Sequence, residues 1–92
     1  MNIAHSTMIN PEFLDDVVTY ISSLENRHQL EIFLLGILTP KEILKICNRY
    51  QVAALLNEGW DQRAIADMLQ IGIGTVTRIS TKCQEGYFEY VI

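Results

Sequence analysis

Metal-ligating and nucleophilic residues are scarce in this chain of 92 residues, which has two cysteines and two histidines. Neither Cys47 nor Cys83 has a second cysteine or a histidine at the short spacing that a zinc site or redox pair requires. Two cysteines also make no disulfide framework. His5 and His28 lie far apart with no serine or cysteine constellation, so nothing suggests a nucleophile activated by a base, and His28 reads as a helix-surface residue. Gly72-Ile73-Gly74 lacks the preceding strand and the third glycine of a dinucleotide site. These absences speak against an enzyme. Long apolar runs are missing too: the longest, Ile32 to Leu38, falls far short of the roughly 18 residues of a membrane span. No basic-then-apolar signal stretch opens the sequence, and a cytoplasmic protein is expected.

Basic charge is also in short supply, with 7 Lys and Arg against 11 Asp and Glu and a net charge of −4. The imbalance is local. Residues 1–31 carry Glu12, Asp15, Asp16, Glu25 and Glu31 against Arg27 alone, whereas residues 60–83 carry Arg63, Arg78 and Lys82 against Asp61 and Asp67. Apolar residues make up 49% and charged residues 20%, a globular composition outside the range of disordered chains. One domain fits this length, but so short a chain buries only a modest fraction of its surface when alone, and a second copy would help.

Residues 1–10 show no period and read as a mobile arm ahead of a single helical domain at 11–92. Pro11 opens a helix in which Phe13, Leu14, Val17, Val18, Ile21 and Leu24 form an apolar stripe opposite Asp15, Asp16 and Ser22. From Gln29 to Leu38 there are too few polar positions for a wet face, so the segment must be covered on all sides. Periodicity leaves a strand open here; a helix at a dimer interface is the simpler expectation.

Thr39-Pro40-Lys41-Glu42 has the form of a capping box, with proline at the first helical position. A long helix follows, with Ile43, Ile46, Cys47, Tyr50, Ala54 and Leu55 as its apolar stripe and Gly59 as its stop. Asp61 can cap a shorter helix carrying Ile65, Ala66 and Leu69. A turn at Gln70–Gly74 precedes a last helix from about Thr75 to Gly86, with Val76, Ile79 and Cys83 turned inward. Tyr87, Phe88, Tyr90 and Val91 make an aromatic tail. The fold class is all-α, and Asp61–Cys83 has the layout of a helix-turn-helix, whose second helix enters the DNA major groove. Ala66 is small where the two helices must cross, and Val76 supplies the apolar anchor. Gln70 departs from the pattern: it stands where glycine is commonest.

The residues Leu38-Thr39-Pro40, Asn48-Arg49, Leu55-Leu56, Gln62-Arg63, Gly72-Ile73-Gly74-Thr75-Val76-Thr77-Arg78 and Ser80 resemble the core of the Trp repressor superfamily in order and nearly in spacing, over about half the chain. The shorter interval between Arg49 and Gln62, with Cys83 followed by Gly86-Tyr87, is most similar to a shorter branch of that superfamily. The resemblance implies an intertwined all-helical homodimer that binds two half-sites of double-stranded DNA as a transcriptional repressor. It implies operator contacts from Gln62 and Arg63, and base or methyl contacts from Ile73, Gly74 and Thr77. Arginine can bond guanine bidentately, and an apolar side chain can meet a thymine methyl. Thr75, Ser80 and Lys82 fit phosphate contacts.

The same resemblance implies an effector site formed by Thr39, Arg49 and Arg78, since a guanidinium stacks on an aromatic face and grips a carboxylate. Two positions depart from the family: Ile79 stands in place of a glycine beside the indole, and Lys82 in place of a serine facing the ligand's ammonium. A lysine cannot accept a hydrogen bond and repels an ammonium, so tryptophan is not expected as a strong corepressor. No cofactor is expected. The competing reading is a protein-interaction module with an acidic helical surface, in which residues 13–38 and 87–91 bind a partner and DNA is not bound.

Overall fold

The computed structural model describes residues 9–91, so all but the end of the expected arm lies outside the described residues. Five helices run in order: α1 Pro11–Ser23, α2 Arg27–Ile37, α3 Pro40–Asn57, α4 Gln62–Leu69 and α5 Ile73–Gln84, with no strand among the described residues. The segment whose periodicity left strand open is helical.

Local chemistry explains where these helices begin. Asn10 Oδ1 accepts from the Glu12 N–H at 2.9 Å, and Pro11, which has no N–H to orphan, takes the first helical position. Asn26 Oδ1 accepts from the Gln29 N–H at 2.9 Å ahead of α2. At α3 the Thr39 hydroxyl accepts from the Glu42 N–H at 3.2 Å while Glu42 Oε1 accepts from the Thr39 N–H at 2.8 Å, completing the capping box. Asp61 Oδ1 accepts from the Ala64 N–H at 3.0 Å and starts α4.

The end of α3 is a Schellman turn: Gly59, at φ +95°, donates to Leu56 O at 3.0 Å and Trp60 donates to Leu55 O at 3.1 Å. At the end of α4, Gln70 does the work that glycine usually does. It lies in the left-handed region at φ 55°, ψ 48°, and Ile71 N–H bonds back to Ala66 O at 3.1 Å. The turn closes without glycine at that position. Gly72 instead serves as the N-cap of α5, which begins at Ile73, ahead of the start expected at Thr75.

The chain divides into two compact units between Ile37 and Leu38. In the first, neither α1 nor α2 contains a buried residue. Tyr20 of α1 and Phe33 of α2 form an aromatic pair, with ring centroids 4.9 Å apart and planes tilted by 50°. In the second, α3, α4 and α5 pack on one another around Val52, Ala53, Ile65, Ala66, Val76 and Ile79. Ala66 and Val76 are both buried in this core, Val76 fully.

The stripe expected along α3 holds at Leu55, which packs against the core, and is corrected elsewhere. Its core residues are Val52 and Ala53, while Ile46 and Tyr50 are both 48% exposed. A helix of 18 residues is about 27 Å long, and the two short helices cover only its C-terminal half. Phe88 and Val91 of the tail pack on this core, and the Asn57 amide donates to Val91 O at 3.1 Å. Tyr87 and Tyr90 stay exposed.

Candidate nucleic-acid interface and effector cleft

Gln62 opens α4 and Thr77 lies in the second turn of α5, and the Thr77 hydroxyl donates to Gln62 Oε1 at 2.8 Å. The bond fixes the Gln62 amide so that its NH2 group remains a free donor. Arg63, adjacent on α4, is exposed. Ile73 is 41% exposed although apolar, Gly74 beside it is exposed, and Thr75 and Ser80 are half-buried. Six of the eight residues expected at a DNA surface, Gln62, Arg63, Ile73, Gly74, Thr75 and Thr77, therefore lie in the opening turns of α4 and α5.

Lys82 lies elsewhere. It occupies the last turn of α5, where it pairs with Glu85 at 3.5 Å and sits 4.7 Å from the Tyr87 ring centroid. An exposed pair of this type adds little stability, but with the ring it gives the ammonium local partners.

Arg49 and Arg78, far apart in sequence, line one open cleft of about 280 Å³ together with Lys45, Asn48, Ile71 and Thr75. Lys45, Asn48 and Arg49 share a face of α3 at intervals of three and four; Thr75 and Arg78 do the same on α5. Ile71 comes from the turn. No carboxylate lines the cleft. Lys45, Asn48 and Ile71 escaped the reading of the sequence, although the spacing from Arg49 points to the first two.

Thr39 is not among the lining residues; in the capping box its N–H donates to Glu42 and its hydroxyl oxygen accepts from the Glu42 N–H. That box holds the Glu42 carboxyl below the usual glutamate range, chiefly through the Thr39 N–H, then the Thr39 hydroxyl, with a smaller contribution from Lys45. Ile79 does not narrow the cleft either. It is 5% exposed, inside the core, because the stripe that carries Val76 and Ile79 inward leaves Thr75 and Arg78 on another face. Neither residue that was expected to obstruct tryptophan, Ile79 or Lys82, lines the cleft.

Charge divides as the units do: residues 1–37 carry the whole net charge of −4. In the second unit Lys41, Lys45, Arg49, Arg63, Arg78 and Lys82 balance Glu42, Glu58, Asp61, Asp67, Glu85 and Glu89. Among the described residues no group of His, Cys, Asp and Glu could hold a metal ion, and no helix is long and apolar enough to cross a membrane. Burial pushes the Cys83 thiol up, away from the reactive thiolate.

Fold and surface together define a small all-helical protein in which a short helix, a tight turn and a second helix present polar side chains in their opening turns. The chain matches the family model described as Trp repressor protein over residues 12–91. It belongs to the Trp repressor family, whose members are DNA-binding transcription regulators and not enzymes. No curated protein and no solved structure matches it.

Proposed function

We propose that the chain is a sequence-specific transcriptional repressor that reads double-stranded DNA with α4 and α5 as a helix-turn-helix and acts as an intertwined homodimer. The observation that carries this reading is the Thr77–Gln62 bond, which ties the first turn of α4 to the exposed tip of α5. In a helix-turn-helix the N-terminal part of the second helix meets base edges. Ile73, Gly74 and Thr77 occupy that part, with Gln62 and Arg63 beside them and Thr75 and Ser80 as phosphate contacts. Lys82 is the weakest member of the set, since it has partners of its own.

Dimerisation is supported by the apolar surface that one chain leaves open: Phe13, Leu14, Val18, Ile32, Leu35 and Ile37 are each at least 49% exposed. Exposed apolar surface on this scale marks an interaction face. A dimer places two recognition helices on two half-sites. The cleft between Arg49 and Arg78 is the site of a small effector, with Thr39 outside it.

Selection of bound duplexes from a random pool tests the reading. The expected product is a two-fold symmetric site whose half-site centres lie about one helical turn apart, bound with an affinity that falls steeply with salt. Failure to shift any duplex at low salt would return the chain to the acidic interaction-module reading.

A further inference from the structure

The cleft is more basic than a site for a zwitterion needs to be. Lys45, Arg49 and Arg78 bring three positive charges to one space of about 280 Å³, with Asn48 and Thr75 as neutral polar groups and Ile71 as the apolar wall. The one ion pair among the described residues is Lys82–Glu85, so none of the three cations is paired with another described residue. Glu42 feels Lys45, but its carboxylate is bonded to Thr39 and it does not line the cleft. At the same place Gly72, the N-cap of α5, offers no side-chain cap, so the positive end of the helix dipole has no side-chain acceptor three positions before Thr75, which lines the cleft.

Resting on the effector reading of this cleft, the geometry points to a ligand of a particular class: a compact anion with two or more negative charges, as in a phosphate ester or pyrophosphate, rather than a free amino acid. Two guanidinium forks can each take a pair of oxygens, and the Lys45 ammonium adds a third charge that only a multiply charged anion can satisfy. An amino acid presents one carboxylate and brings an ammonium into a field of three cations, where like charges repel. Lys45 therefore supplies the discrimination against tryptophan that neither Ile79 nor Lys82 is placed to supply. The phosphate has two sources, a free small molecule or the DNA backbone, and the chemistry that holds it is the same.

Calorimetric titration of the full chain without DNA, at fixed ionic strength, tests this with sodium pyrophosphate and with tryptophan as probes. Saturable binding of one pyrophosphate per chain is expected, about tenfold or more tighter than tryptophan. Lys45→Gln, an exposed substitution that leaves the helical circular dichroism intact, should weaken pyrophosphate about tenfold and tryptophan not at all. Arg49→Gln with Arg78→Gln should abolish both. Equal affinity for the two probes, a Lys45→Gln chain that binds pyrophosphate unchanged, or a weak response that never saturates would each overturn the proposal. Addition of a selected duplex then separates the sources: competition between pyrophosphate and DNA assigns the cleft to a backbone phosphate, and simultaneous binding assigns it to a free anion. Pyrophosphate binding with no duplex bound would sink the repressor reading and leave this one standing; duplex binding without pyrophosphate binding would do the reverse.

Discussion

Gly74 separates what the fold needs from what DNA binding needs. It is the second residue of α5, its φ is not among the positive values, and a methyl group added there would meet nothing within 4 Å. Within the chain, glycine has no steric reason to be there. Glycine is about 1 kcal/mol less favourable than alanine in a helix interior, and roughly half of that applies in a first turn. Gly74→Ala should therefore stabilise the chain by about 0.5 kcal/mol and raise the melting temperature by about 2–4 °C. On DNA the sign reverses. If the α5 backbone approaches the groove at Gly74, an added methyl overpacks a close contact at a cost of about 1–3 kcal/mol. Operator affinity should fall by about one to two orders of magnitude. Thermal melts followed by circular dichroism and fluorescence anisotropy on a selected duplex at constant salt measure the two effects. A variant that is more stable and binds the duplex as tightly as before would refute the placement of Gly74 at the interface.

Four further outcomes are expected. Arg63→Ala should cost about 1–3 kcal/mol of operator binding and relax the preference at one base pair, with melting almost unchanged; a uniform loss across sequences would make Arg63 a phosphate contact. Gln70→Gly should stabilise by about 0.5–1 kcal/mol, because relief of a left-handed penalty of about 1–2 kcal/mol exceeds the extra unfolded-state entropy of glycine; a lower melting temperature would show that the Gln70 side chain has a role of its own. The Glu42 carboxyl is depressed in the folded chain, so its stabilisation is complete above the unfolded value of about 4.3 and is lost as pH falls through the lower folded value. Wild type should exceed Glu42→Gln in stability near neutrality and converge with it in acid, and parallel melting curves down to pH 2 would contradict the capping-box account. Sedimentation at micromolar concentration should show two subunits, and a monomer with intact helical content would count against the interface assigned to residues 13–38.

Helix starts were legible because capping is decided within four residues. Pro11, Thr39-Pro40 with Glu42, and Asp61 mark three of the starts, and the side chains of Asn10, Thr39 and Asp61 each accept from a backbone N–H two or three residues further on. The stops were read less evenly. Gly59 marks its Schellman turn openly, whereas Gln70 hides one, since nothing in a glutamine signals a left-handed conformation that the packing of α4 on α5 imposes. The start of α5 was read late because Gly72 caps through its backbone alone and leaves no side-chain signature.

By itself the sequence determined the helical class, the family and the stretch that presents Gln62, Arg63 and Thr77, all of which follow from local bonding and from residues in a recognisable order. Only the tertiary structure decided which apolar positions of α3 are covered, that Thr77 is joined to Gln62, and that Lys45 and Ile71 face Arg49 and Arg78 while Thr39, Ile79 and Lys82 do not. The physical reason is the range of the forces involved. Periodicity reports which face of a helix is apolar, but what lies opposite that face depends on where another helix, distant in the chain, comes to rest, and a cleft made by α3, the turn and α5 exists only once all three are packed.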